Sequence, residues 1–214
     1  MKKSIAVLGL GKYGISLAQS MYEFGSDVLI VDSDEDKLKE ASEFATSVIC
    51  ADLENEDEVA SLGLSNFDIV VVATSGNLAA SIMAVAVAKE QGVPLIVAKS
   101  ASDRMTSILK RIGADKVIVP EEYGGRQSAR ILSSDTFLDY FSVDTTLSMV
   151  EMNPLAKWVG KSLTELNIRK NYKVNVVAVK ENGHWKVIDP QQPLEADNHL
   201  LIVAEKEYLK RIDK

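Results

Sequence analysis

Ile5-Ala6-Val7-Leu8-Gly9-Leu10-Gly11-Lys12-Tyr13-Gly14 is an apolar run that breaks into a glycine-rich turn, after which the apolar positions switch to helical spacing. The stretch reads as a strand, a phosphate-binding turn and a helix. Each glycine meets a separate steric need: Gly9 makes the tight turn, Gly11 lets the backbone approach a pyrophosphate, and Gly14 lets the helix pack on the strand. The helix N-terminus then offers unpaired N–H groups and a partial positive charge to phosphates. A second apolar strand, Asp27-Val28-Leu29-Ile30-Val31, ends in Asp32 with Ser33 beside it, where this fold places the acid that grips a ribose hydroxyl. A carboxylate there repels a 2′-phosphate and disfavours NADP. The pattern specifies a site for an adenine nucleotide or dinucleotide.

Outward from that turn, strands and helices alternate as far as residue 119, and the strands read as continuous apolar runs, the mark of a sheet covered on both faces. Strands are predicted at 4–8, 28–31, 47–50, 68–73, 95–98 and 117–119, giving an α/β, Rossmann-like, doubly wound parallel sheet. Asp34 opens the second helix, Asn55-Glu56-Asp57 the third, Gly92-Val93-Pro94 closes the fourth and Ile112-Gly113 the fifth. Past Pro120 the grammar changes. Helices are predicted at about 125–133 and 136–140, then a strand at 147–152, a short helix at 162–166, and a strand at 174–179. A hairpin turn at Glu181-Asn182-Gly183-His184 leads into a strand at 185–188, followed by a strand at 199–204 and a closing helix at 205–212. The predicted organisation is a nucleotide-binding domain at 1–122, crossover helices or linker at 123–141, and a small α+β domain at 142–214. A domain of about 70 residues is marginal alone and is expected to lean on another copy of itself.

Composition excludes several classes. A net charge of -7 over 214 residues leaves no basic footprint for nucleic acid, and no Lys/Arg cluster suits anionic lipid. A single cysteine, Cys50, cannot form an internal disulfide, and its place at the end of a predicted buried strand makes it an inert core residue. No signal-peptide pattern is seen and no apolar run reaches the length of about 18 residues that spans a bilayer, so a cytosolic location without lipid insertion is expected. His184 and His199 stand apart from other metal-ligand residue types in the sequence and read as structural.

Other candidates fall at the carboxyl ends of the predicted strands. Asp52, followed by Leu53, is placed either to accept a hydrogen bond from an adenine amine or to cap the next helix. Thr74-Ser75-Gly76-Asn77 is small enough for close backbone approach to a ligand, and equally suits a plain capping loop. Lys12 lies within the glycine loop, a cation beside the phosphate position. Glu121, just past the sixth strand, reads as a helix-start residue or as a carboxylate that meets a phosphate through a divalent cation.

The glycine turn, the Asp32 strand end, the run Ile112-Gly113-Ala114-Asp115-Lys116-Val117-Ile118-Val119-Pro120-Glu121 and the small C-terminal module together resemble the KtrA/TrkA proteins, built from an RCK-N (regulator of K⁺ conductance) and an RCK-C domain. The resemblance covers the whole chain. It implies a cytosolic nucleotide-sensing subunit that assembles from dimers into an octameric ring. The ring docks on the inner membrane face beneath a K⁺-translocating partner of the KtrB/TrkH type and changes shape with its ligand. It implies ATP or ADP, with NAD(H) as an alternative, and Mg²⁺ or Ca²⁺ with the triphosphate. The family's γ-phosphate arginine falls on Lys12, which keeps the charge and loses the bidentate fork; its metal-chelating glutamate falls on Glu121 and a family lysine at the fifth strand's end on Lys99. In related proteins the RCK-C cleft binds cyclic di-AMP, and Ile168, Arg169 and Asn175 occupy a similar place.

The chain is not expected to be an enzyme. A small NAD-dependent oxidoreductase needs a catalytic group beside the nicotinamide, and neither histidine nor any Tyr-x-x-x-Lys pair is placed for it. A nucleotide-binding module of some other complex shares every feature except the family resemblance.

Overall fold

A computed structural model describes residues 2–74 and 76–212. The chain divides into two compact units, Met1–Glu122 and Tyr123–Lys214. In the first, β1 (Ser4–Leu8), β2 (Asp27–Asp32), β3 (Ser47–Cys50), β4 (Ile69–Val72), β5 (Ile96–Lys99) and β6 (Lys116–Ile118) form a parallel sheet in the order β3-β2-β1-β4-β5-β6. The order reverses between β1 and β4, so the crevice outside their carboxyl ends is the switch point at which such sheets bind ligands. Period-2 alternation divides the buried residues between two layers. Ile5 and Val7 pack with Ala18 of α1 (Lys12–Glu23) and Leu38 of α2 (Glu35–Ala41). Ala6 and Leu8 pack with Val59 of α3 (Glu56–Ser61), Ala84 and Val85 of α4 (Leu78–Glu90) and Leu109 of α5 (Asp103–Ile112). The predicted caps are in place: the carboxylate of Asp34 accepts from the N–H groups of Asp36 and Lys37, and the Asn55 side chain does the same for Asp57 and Glu58.

Burial differs from expectation at one edge. β3 is exposed along its length because it pairs only with β2, leaving Val48 and Ile49 about two-fifths exposed. Cys50 is therefore a surface thiol, not a core residue.

Most of α6 (Pro120–Leu132) belongs to the second unit; the helix starts at its proline, ahead of the predicted residue 125, because proline suits the first helical position. The predicted helix at 136–140 is instead a strand, β7 (Phe137–Ser142), so 123–141 is not a pair of crossover helices. Phe137, Tyr140 and Phe141 are β-favouring residues, and β7 pairs antiparallel with the next strand, β8 (Leu147–Met152), in a hairpin closed by a short connection. The sheet runs β10-β9-β11-β8-β7, with β9 (Val174–Glu181), β10 (His184–Val187) and β11 (His199–Glu205). Among the described residues one of its faces carries the buried core. Val150, Met152, Val174, Leu200 and Ile202 pack with Trp158 and with residues of α7 (Leu163–Leu166), α8 (Ile168–Tyr172) and α9 (Lys206–Ile212). No helix among the described residues is long and apolar enough to cross a membrane.

Candidate functional site

Gly9 sits at φ +100, and a Cβ built there would come within 2.9 Å of the Thr74 backbone nitrogen. At Gly14 a Cβ would stand 2.0 Å from the Gly9 carbonyl oxygen, so helix and turn are in backbone contact that no side chain permits. Gly11 is the N-cap of α1 with extended backbone and no side chain to satisfy the first N–H groups of the helix. These groups meet a phosphate's needs.

Asp32 is 8% exposed and braces this turn. Its Oδ2 accepts from the Leu10 N–H at 2.6 Å and its Oδ1 from the Asp34 N–H at 3.0 Å. A lysine that sequence reasoning missed, Lys37, brings its Nζ within 3.4 Å of the same Oδ1. The signal for it was available: Asp34 caps α2, and residues of the first helical turn after a cap lie beside the strand end.

A cavity of about 170 Å³ opens here, walled by Gly9, Gly11, Asp32, Ser33, Lys37, Asp52, Leu53, Thr74 and Asn77, with Leu10 and Ala80 completing the lining. Four strand ends thus converge on one small space. Asp52 is not a helix cap, since Asn55 has that role; its Oδ1 accepts from the Glu54 N–H at 2.9 Å in a local turn. The loops after β3 and β4 are tied together where Asn77 Nδ2 donates to Glu54 Oε1 at 2.5 Å, while Asn77 Oδ1 caps α4 by accepting from the Ala80 N–H. Thr74 Oγ1 and Ser81 Oγ are 2.6 Å apart.

A second cavity, of about 430 Å³, shares Thr74 and Asn77 with the first and extends past Gly76 to Lys99, Met105 and Glu121. Lys99 Nζ lies 2.8 Å from Glu121 Oε1, and that hydrogen bond holds the Glu121 carboxyl below the usual carboxylate range. Lys99 is nearly buried and Glu121 exposed. Among the described residues no three His, Cys, Asp or Glu side chains group to hold a metal, so a cation at Glu121 would need oxygens from its ligand.

Three expected residues stand aside from both cavities, the first of them Gly14, which packs against the Gly9 carbonyl. Lys12 is exposed on the first turn of α1, and Tyr13 is turned against the core, where burial raises its phenol pKa. Ser75 lies outside the described residues. In the second unit Ile168, Arg169 and Asn175 are brought together on a cavity of about 470 Å³ whose other walls include Leu163, Val177 and Val187. His199 is not isolated: its Nδ1 is 2.6 Å from Glu151 Oε1, and Lys180 Nζ is 3.6 Å from the same oxygen.

Comparison with known proteins gives the family and the fold. Residues 5–120 match the TrkA-N domain family and residues 147–214 the TrkA-C domain family. Ktr system potassium uptake protein C of Bacillus subtilis (strain 168) is 33% identical over 216 residues, which cover 100% of this chain and 97% of that protein. Ktr system potassium uptake protein A of the same organism is 32% identical over 212 residues, 99% of this chain and 96% of that protein. Among solved structures, the GsuK RCK domain superposes with a TM-score of 0.65 at 16% identity, over 100% of this chain and 47% of that one. This chain spans less than half of that structure, and a likeness at this identity shows the fold.

Proposed function

We propose that this chain, which belongs to the family of proteins built from a TrkA-N and a TrkA-C domain, is a nucleotide-sensing regulatory subunit of a membrane potassium-uptake system. The observation that carries the reading is the convergence of Gly9, Gly11, Asp32, Ser33, Asp52, Leu53, Thr74 and Asn77 on one cavity at the switch point of the parallel sheet. The full-length relatives, named as potassium uptake proteins, supply the process.

In this reading the pyrophosphate of an adenine nucleotide rests on the first turn of α1, and Asp32 accepts a ribose hydroxyl while keeping its bond to the Leu10 N–H. Asp52 and Leu53 border the base. ATP or ADP is the favoured ligand, with NAD(H) as the alternative for the larger adjoining cavity. Lys12, exposed at the loop, reaches a terminal phosphate only by a change of rotamer or in an assembly of several chains. Mg²⁺ or Ca²⁺ is held by Glu121 and ligand phosphates once Lys99 transfers from the carboxylate to a phosphate. The second unit's cavity, with Arg169 and Asn175, takes a cyclic dinucleotide. The chain works as a homo-oligomeric ring on the cytoplasmic face of the membrane, bound to a K⁺-translocating subunit. Its role is binding and signalling, not catalysis: two ligands that prefer different ring conformations shift the population between them, and only that difference in affinity acts on the partner.

A thermal-shift panel of ATP, ADP, AMP, NAD⁺, NADH and cyclic di-AMP, each with and without Mg²⁺, tests the binding. A ligand of the folded state at about a hundred times its dissociation constant stabilises by about 2.7 kcal/mol. Equal K⁺ uptake by a reconstituted complex in ATP and in ADP would overturn the sensing mechanism.

A further inference from the structure

The first cavity carries a cation that the nucleotide motif does not require. Lys37 lines it beside Asp32 and Ser33, with Nζ 3.4 Å from Asp32 Oδ1 and 3.6 Å from Asp34 Oδ2. The two acids differ. The Asp32 side chain is 11% exposed and fixed by two backbone N–H groups, whereas Asp34 is 46% exposed and caps α2. Two carboxylates and one ammonium leave this corner with a net negative charge, and in the nucleotide reading the acid at this strand end faces the ribose 2′ position.

We propose that Lys37 is the specificity-determining residue of this site, a 2′-phosphate receptor held in check by Asp32 and Asp34. The inference rests on the nucleotide reading given above. A 2′-phosphate carries close to two negative charges at neutral pH. With both acids charged, the ammonium is neutralised and the corner repels that phosphate. Removal of either acid brings the corner to neutrality, and Lys37 is then a point charge on the cavity wall, the form in which lysine binds phosphate. Exclusion of a 2′-phosphate is thus a balance among three side chains and not a property of Asp32 alone. Asparagine at 34 caps a helix as well as aspartate, whereas asparagine at 32 keeps an oxygen for the Leu10 N–H and leaves the Asp34 N–H without its acceptor.

The experiment is calorimetric titration of the full chain with AMP and with adenosine 2′,5′-bisphosphate, which differ only in the 2′-phosphate. Wild type is expected to prefer AMP by about tenfold or more, the scale of one charge-assisted contact at a partly buried site. Asp32→Asn shifts the affinity ratio toward the bisphosphate by about tenfold, and Asp34→Asn, at the surface, by about threefold. Adding Lys37→Met to either variant abolishes the shift. A shift that survives Lys37→Met, or no shift in either single variant, overturns the proposal. Asp34→Asn keeps the test decisive if Asp32→Asn does not fold. Wild type that gives no heat with AMP, ADP or NAD⁺ overturns the nucleotide reading and the inference with it. Binding of AMP with no influence of Lys37 on the ratio overturns the inference alone.

Discussion

In the parallel unit the cavity is walled by chain turns, and in the antiparallel unit by side chains. After β1, β2, β3 and β4 the chain turns at the same sheet edge, so backbone N–H groups and the carboxylates that hold them collect in one place. The antiparallel sheet sends successive connections to opposite ends, so its cavity is assembled from β9, the α7–α8 junction and the segment after β10, with Arg169 among mainly apolar residues. The first site depends on how closely backbones approach one another. The second depends on how two very short helices are held in place.

The largest expected effect breaks the first half of that contrast. Gly14→Ala puts a methyl group 2.0 Å from the Gly9 carbonyl oxygen, with the Ala73 Cβ at 3.2 Å on the other side, so either α1 or the glycine turn must move. A cost of about 3 kcal/mol is expected, the upper end for overpacking a rigid site. Denaturant unfolding measures the loss, and the stabilisation by ATP, ADP or NAD⁺ should disappear with it. A variant that keeps both stability and ligand response would show that the close approach is not what shapes the site.

The second half of the contrast rests on Ser162. Its hydroxyl accepts from the Glu165 N–H at 3.2 Å while Glu165 Oε2 accepts from the Ser162 N–H at 2.8 Å, a reciprocal cap on a helix of four residues. Ser162→Ala should destabilise the second unit by about 1 kcal/mol. Glu165→Gln keeps an acceptor but does not titrate, which gives a pH test. The Ser162 backbone N–H, and then its side chain, hold the Glu165 carboxyl below the usual glutamate range. A lowered folded pKa means that the stabilisation is fully present above the unfolded value, about 4.3, and is lost as pH falls through the folded one. The advantage of wild type over Glu165→Gln is therefore expected at neutral pH and should fade below about pH 4. An advantage that grows on acidification would invert the assignment.

What was legible in the sequence follows the same division. In the first unit each strand end carries its own punctuation, so Asp34, Asn55 and Gly113 marked helix ends and the glycine turn marked the site before any contact was known. Local patterns missed whatever depends on a distant neighbour. Cys50 looked buried because β3 is apolar, and only its place at the sheet edge exposes it. Lys37 is the exception, since its place on the first turn after the Asp34 cap was readable locally and was passed over. In the second unit the miss was local: residues 136–140 carry helix-compatible spacing, and hairpin pairing with the adjacent β8 overrides it. Arg169 and Asn175 were placed by resemblance, and the turn that brings them to one cavity is a pair of left-handed residues that no spacing rule reports.

Those two residues set the smallest expected effect, opposite in sign to that at Gly14. Asn167 and Lys173 flank α8 at φ 46 and φ 59, both in the left-handed region. Asparagine tolerates that region because its short polar side chain bonds locally, but lysine has no such compensation and bears a steric cost of about 1 kcal/mol from its Cβ. Glycine at 173 removes the cost and gives part of the gain back as unfolded-chain entropy. Lys173→Gly should thus stabilise the second unit by roughly 0.5 kcal/mol, read as a higher denaturant midpoint at an unchanged slope. Adding a methyl group at Gly14 and removing the side chain at Lys173 then move the two units in opposite directions, as expected if backbone approach limits one and backbone conformation the other. A loss of stability in Lys173→Gly would mean that the lysine side chain holds α8 by contacts outweighing its strain, and the contrast between the two sites would fail at that point.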